Sequence, residues 1–295
     1  GQEVLYFNYS SIDPVLTNAK CNFWHFAWDA NSDVKMEAIT NYIKATPSIK
    51  KIYLINQDYS YGKSVRAAAR EMLAAKRPDI KIVGDELHPM LKVTDFSPYV
   101  AKIRASGADA VISGNWGQDL ALLLKAAGSS GLDVNWYTYY GVATAGIPIS
   151  LKQVNLNHKV FGVTEGIANV DYAPSREFEK RWRAKYGEDF VLFAPRQVNE
   201  IKMFAAAAEK AKSFDPIKIA LALENMEIDV FDGGKGMMRK EDHQFFQPLY
   251  VASFGELKAS EPFDEEGTGW GNTVVAKIEA KDTLTKTSCK MTRPQ

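Results

Sequence analysis

The sequence predicts an α/β fold built on a parallel, doubly wound sheet, and three observations predict it. Residues 51–72, KIYLINQDYSYGKSVRAAAREM, pass from a buried strand through an aromatic-tipped loop into an amphipathic helix. The same strand-loop-helix unit then returns along the chain. The loops after three successive strands carry Tyr59 and Tyr61, then Asn115 and Trp116, then Tyr139 and Tyr140. Short apolar runs alternating with helices argue for parallel strands joined by right-handed crossovers. Ligands of open α/β sheets gather at the carboxyl ends of the strands, so the three aromatic tips should converge on one edge.

Taken in order, residues 52–55 are β-branched and aromatic enough for a strand covered on both faces, while Val65, Ala68, Ala69 and Met72 recur at helical spacing. Residues 80–87 read as a strand, 96–106 as a helix, 108–113 as a strand, 119–127 as a helix and 134–138 as a strand. Beyond Gly141 the alternation loosens. Residues 159–164 predict a strand, 175–186 a charged amphipathic helix, and 195–212 a helix with an Ala-rich face and a proline near its first turn. Asp215 and Pro216 open a further helix to residue 225. Residues 232–236 form a turn cluster, 247–254 a strand, and 258–271 a long acidic, glycine-containing loop. There is no repeat at solenoid period.

A chain of 295 residues, 46% of them hydrophobic, can bury a large core and allows one or two domains. Lysine plus arginine equals aspartate plus glutamate at 36 each, and no basic stripe stands out. Nucleic acid and anionic membrane surfaces are therefore not expected partners. No apolar stretch approaches the length of a membrane span. Gly1 opens directly into structured-looking sequence without a signal peptide, which predicts a soluble chain that is processed or begins inside a longer protein.

Cys21 and Cys289 stand near opposite ends of the chain. Two unrelated buried thiols are one reading; a bridge is the other. Both cysteines lie in polar surroundings where a buried apolar thiol would be out of place, which favours the bridge and an oxidising compartment. Gly62, Lys63 and Ser64 resemble the tail of a phosphate-binding loop, but Gln57 stands where its first glycine should be. His25, His88, His158 and His243 are scattered without metal-ligand spacing, so structural or surface roles are expected and no metal or cofactor. No nucleophile elbow and no paired acid motif occurs, and the chain is not expected to be an enzyme.

Residues 53–64 with Tyr61 before Gly62, the helix start at Thr94 to Ser97, the strand entry at Gly107 to Val111 and the strand at 246–254 together resemble the periplasmic solute-binding proteins of ABC transporters, in the leucine/isoleucine/valine-binding family. The resemblance covers essentially the whole chain. It implies the type I architecture: two doubly wound α/β lobes joined by three hinge crossovers, with ligand between them and a membrane permease as partner. The crossovers are expected near residues 26–29, 165–169 and 253–256. Lobe I would comprise 1–27 and 168–254, and lobe II 28–167 and 255–295. Members of the family carry several more βα units before the first strand of this chain, about 100 residues at about 30 per unit. The N-terminal part of lobe I is therefore expected to be absent, the working protein a monomer with a further N-terminal segment, and its location periplasmic.

The resemblance also implies ligand contacts. Ser10 and Ser11 match a lobe I loop whose amides and hydroxyls hold a ligand carboxylate; Arg196, from its own place near the start of a helix, is a further candidate to assist. Tyr61 matches an aromatic wall, Asn115 or Trp116 the next contact, and Tyr139 and Tyr140 the third loop. At the position where amino-acid binders supply an acid for the ligand ammonium, this chain has Tyr140. The expected ligand is thus a small organic anion with an aromatic or apolar body. An amino-acid or amide sensor on the same fold is the alternative.

Overall fold

The structure, a computed structural model, describes residues 4–142, 144–187 and 194–294. It opens with two short parallel strands, β1 (Tyr6–Asn8) and β2 (His25–Ala27), separated by a loop and a single 3-10 turn at Pro14–Thr17. The chain then builds a seven-stranded sheet. Its parallel part alternates with helices: α1 (Ser32–Lys44), β3 (Lys51–Gln57), α2 (Ser60–Lys76), β4 (Lys81–His88), α3 (Ser97–Ser106), β5 (Ala110–Ser113), α4 (Gly117–Ser129), β6 (Asn135–Thr138), α5 (Ile147–Gln153) and β7 (Val160–Thr164).

Side chains along these strands point alternately to the two faces, and both faces are covered. Tyr53, Ile55, Val111 and Trp136 pack with Val100, Leu120, Leu123 and Leu151 of α3, α4 and α5. Ile52, Leu54, Ile112 and Tyr137 pack with Val34, Ile39, Val65 and Ala69 of α1 and α2. This is the doubly wound arrangement that continuous apolar runs such as 52–55 predict. Gly62 belongs to the same logic: a Cβ there would run into the Gln57 carbonyl, so glycine lets the first turn of α2 sit against the end of β3.

The chain leaves the sheet after β7 and forms α6 (Ala173–Tyr186), α7 (Ala194–Ala211) and α8 (Pro216–Leu223), then three antiparallel strands, β8 (Glu227–Asp229), β9 (Lys235–Met238) and β10 (Phe245–Phe246). Asp215 caps α8 by accepting from the Lys218 amide, and Pro216 follows it at the first helical position. A third core joins these elements to β1 and β2 through Phe26, Trp28, Met203, Ile219, Leu223 and Phe245.

Two strands complete the large sheet: β11 (Leu249–Glu256) and β12 (Trp270–Ile278), giving the order β12-β11-β7-β6-β5-β3-β4. Strand β11 pairs antiparallel with both β7 and β12 along its length. Residues 253–256, where a third crossover is expected, lie inside this paired strand, and Gln247 and Pro248 connect β10 to β11. The chain leaves β2 for α1, and β7 for α6, through the other two segments named in the sequence, residues 26–29 and 165–169.

A disulfide joins Cys21 to Cys289, with Cα atoms 5.7 Å apart. The tail it holds packs along the loop after β1 and the elements of the third core. Thr287 donates to the Thr17 carbonyl, Arg293 pairs with Glu224, and Met291 packs on the third core. Among the described residues no helix is long and apolar enough to cross a membrane.

Candidate functional site

The carboxyl ends of β3, β5 and β6 open onto a cavity of about 730 Å³ whose opposite wall comes from the loop after β1 and the first turn of α7. The sheet side contributes Tyr59 and Tyr61 from the start of α2, Trp116 and Gly117 from the start of α4, and Tyr140 and Thr144 from the loop after β6. The facing wall is Tyr9 to Asp13 with Arg196 and Gln197. The aromatic tips do converge. Trp116 Nε1 donates to the Tyr59 hydroxyl at 2.8 Å, the Tyr59 and Tyr61 rings lie 5.7 Å apart, and Tyr61 meets Tyr139 edge to face at 5.9 Å.

Of the residues singled out from sequence, Ser10, Ser11, Tyr61, Trp116, Tyr140 and Arg196 line this cavity. Asn115 and Tyr139 do not. The Asn115 side chain is fully buried and accepts through Oδ1 from His88 Nε2 at 3.0 Å, and the Tyr139 hydroxyl donates to the Ser32 carbonyl at 3.0 Å. Each stands one residue before a wall residue, so the pair anchors the loops that present Trp116 and Tyr140. Tyr9, Ile12, Asp13, Tyr59, Gly117, Thr144 and Gln197 complete the lining. Tyr59 shares the strand-helix junction with Tyr61 and was visible there; Thr144 and Gln197 carry no sequence signal.

The loop after β1 is knotted by Asn8. Its Oδ1 accepts the amides of Ser10 and Ser11 at 3.2 and 2.8 Å, and its Nδ2 donates to the Ser11 carbonyl. These two amides are thus already engaged, so of these two residues the hydroxyls rather than the amides are the donors a ligand could use. Asp13 accepts from the Val15 amide through Oδ1 and from the Ser60 hydroxyl through Oδ2 at 2.6 Å, which joins the loop to the start of α2. On the opposite wall the Tyr61 hydroxyl is buried with no hydrogen-bond partner among the described residues. A buried polar group of this kind is rare and costly unless something meets it.

Beneath the cavity lies a cluster of four buried charges. Asp29 follows β2, Lys35 is on α1, Glu165 follows β7 and Arg196 opens α7. Lys35 Nζ lies 2.8 Å from Asp29 Oδ1 and 3.1 Å from Glu165 Oε1; Arg196 pairs with Asp29, approaches Glu165 at 3.5 Å and donates to the Tyr9 carbonyl. Burial pushes the Asp29 carboxyl up to about 7, the cations opposing it and Glu165 adding to it. Burial works against Glu165 as well, but Lys35 and Arg196 hold it well below the usual carboxylate range. The cluster thus ties the segments that leave β2 and β7 to α1 and α7. Gly166 completes the join, since a Cβ there would collide with Asp232 and crowd Pro195.

The chain belongs to the periplasmic binding protein family, which it matches over residues 1–259. It is 30% identical to Leu/Ile/Val-binding protein homolog 4 of Brucella abortus (strain 2308), covering 100% of this chain and 70% of that protein. It is also similar to the closed crystal structure of the leucine-, isoleucine-, valine-, threonine- and alanine-binding protein from Brucella ovis. There the TM-score is 0.89 at 28% identity, over 99% of this chain and 74% of that one. At 16% identity the fold alone is shared with an ABC-transporter solute-binding protein from Rhodopseudomonas palustris HaA2 solved with p-hydroxybenzoic acid, with TM-score 0.78 over 94% of this chain and 73% of that one. The family consists of solute-binding receptors for ABC transporters rather than enzymes; its members bind small molecules, work with membrane permeases and are periplasmic.

Proposed function

We propose that the protein is the solute receptor of an ABC importer and that its ligand is a small carboxylate with an aromatic or otherwise apolar body, held in the cavity between two lobes. In this reading lobe I is built around β1, β2 and α6 to β10, and lobe II around the seven-stranded sheet. The observation that carries the ligand class is the wall itself: Tyr9, Tyr59, Tyr61, Trp116 and Tyr140 offer flat apolar surface, with the Tyr61 hydroxyl and the two serine hydroxyls as the few polar groups that orient a ligand. The aromatic acid held by the Rhodopseudomonas protein is compatible with such a wall.

A free amino acid is the second reading, favoured by the names of the Brucella relatives. Its ammonium group would need a counter-charge, and the wall has Tyr140 where amino-acid binders of the family have an acid. Among the described lining residues the carboxylate is Asp13, already accepting from Ser60 and Val15. Desolvating an ammonium without a partner costs on the order of a few kcal/mol, about a hundredfold in affinity. Calorimetry with benzoate, 4-hydroxybenzoate, leucine and phenylalanine decides between the two. Binding of the aromatic acids is expected; tight leucine binding with no response to them overturns the proposal.

A further inference from the structure

Asn8, the last residue of β1, is 2% exposed, and all four hydrogen-bonding positions of its side chain are filled. Oδ1 accepts the amides of Ser10 and Ser11 at 3.2 and 2.8 Å, while Nδ2 meets the Ser11 carbonyl at 2.8 Å and His25 Nε2 at 3.2 Å. Backbone amides can only donate, so the atom that faces them must be the oxygen, and the side-chain nitrogen is left facing His25. Nε2 can then only accept. His25 is therefore neutral, with its proton on Nδ1, because a charged imidazole would set one N–H against another.

We propose that Asn8 is a positioning residue of the ligand site, locked in orientation by neutral His25: neither lines the cavity, but by engaging the Ser10 and Ser11 amides Asn8 sets the two hydroxyls as the loop's donors to a ligand carboxylate. This rests on the reading of that loop as the carboxylate grip, which the aromatic-acid and amino-acid readings share. Asp13 anchors the far end of the loop through the Val15 amide and the Ser60 hydroxyl, so the two serines are held between fixed points. Donors fixed in this way meet a ligand without the ordering cost of a free loop. The titratable groups facing His25 are the Tyr6 phenol of β1, its ring stacked at 5.6 Å, and His243 from between β9 and β10. His243 is itself hydrogen-bonded at 3.0 Å to Glu224, which also pairs with Arg293. Burial and His243 hold His25 down at about 4, in keeping with the neutral form that the hydrogen bonds require.

Two measurements test this. Nitrogen NMR of the unaltered, ligand-free protein at about pH 5.5, where an ordinary histidine is mostly charged, should show His25 neutral and protonated on Nδ1. Asn8→Asp, which offers Nε2 an acceptor in place of a donor, should put a proton on Nε2. A charged His25, or a proton on Nε2, in the unaltered protein overturns the inference. The second measurement is a double-mutant cycle read by calorimetry with benzoate. Asn8→Ala should weaken binding about ten- to a hundredfold, and Ser10→Ala/Ser11→Ala by at least as much. Adding Asn8→Ala to the serine pair should change affinity by no more than about twofold, because the groups it positions are already gone. A merely structural role would cost the same factor in both backgrounds; that result overturns the inference and leaves the functional reading standing. If leucine binds and benzoate does not, the functional reading falls, and the same cycle with leucine decides the role of Asn8 by the same criterion. Binding of neither overturns both.

Discussion

Replacing Tyr61 by phenylalanine should move stability and affinity in opposite directions. In the free protein the hydroxyl is buried without a partner among the described residues, a condition that costs about 1–3 kcal/mol. Removing it relieves that cost and leaves a gap of one oxygen atom, so Tyr61→Phe is expected to be neutral or up to about 2 kcal/mol more stable. For a chain of this length the melting entropy is about 0.6 kcal/mol per degree, which makes the rise up to about 3 °C. With ligand present the same hydroxyl would donate to a carboxylate, an interaction worth about 1.5–3 kcal/mol, so affinity should fall about ten- to a hundredfold. Tyr139→Phe is the control. Its hydroxyl donates to the Ser32 carbonyl away from the cavity, so about 1 kcal/mol of stability should be lost with affinity little changed. Thermal melting and calorimetry with 4-hydroxybenzoate read both quantities. A Tyr61→Phe protein that melts lower and binds unchanged would show that the ring only packs, and the assignment of the hydroxyl to the ligand would be wrong.

Further outcomes follow from the buried charges and the bridge. Arg196→Met should cost about 3–5 kcal/mol, because Asp29 and Glu165 are left with Lys35 alone; denaturant melts check it, and a loss under 1 kcal/mol would count against the cluster. Burial pushes Asp232 up to about 7 and Glu265 up to about 8. A carboxyl that keeps its proton to higher pH when folded stabilises fully below its unfolded value near 4 and loses that contribution as pH rises through the folded value, so stability should decline from about pH 4 to about pH 8. Glu265→Gln should flatten that decline in urea melts at about pH 5 and about pH 8. Thiol titration of the denatured, unreduced protein should find no free cysteine, and reduction should cost at most about 6 kcal/mol for a ring closed over 268 residues.

The alternating core was legible because buried parallel strands are written as unbroken apolar runs: the strand read at 52–55 is β3, Lys51–Gln57, and the helix read at 119–127 is α4, Gly117–Ser129. Strand β12 was passed over as tail. Its sequence begins Trp-Gly-Asn-Thr and its second half is partly exposed, so neither a continuous nor a strongly alternating apolar pattern marks it. That β11 belongs to the large sheet was not readable at all, since its apolar run does not say which edge it pairs with. In the site, the three aromatic loops were found because they end recognisable strands. Which residue of a pair faces the cavity depends on the loop path: Trp116 and Tyr140 do, while Asn115 and Tyr139 turn to His88 and Ser32. The four-charge cluster was invisible as a cluster, because its members come from four segments: Arg196 was singled out only as a ligand contact, and Asp29, Lys35 and Glu165 each alone look like ordinary surface charges.

The route of the C-terminal residues bears on how far the molecule can open. Asp282, in a 3-10 turn at Ala280–Asp282, is held to α1 by Asn41; Thr285 is held by Arg239, between β9 and β10, and Thr287 by the Thr17 carbonyl, two residues before the bridged Cys289. In the two-lobe reading these anchors lie on different lobes. The stretch between Asp282 and Thr285 is then a covalent strap, additional to the three crossovers, with a reach of only about 10 Å when fully extended. A hinge free in its φ and ψ angles would still be stopped when that strap became taut, unless the Thr285 and Thr287 hydrogen bonds released first and passed the limit on to the disulfide. The amplitude of opening would thus be set at the chain's far end, by the slack in a few residues, rather than at the hinge.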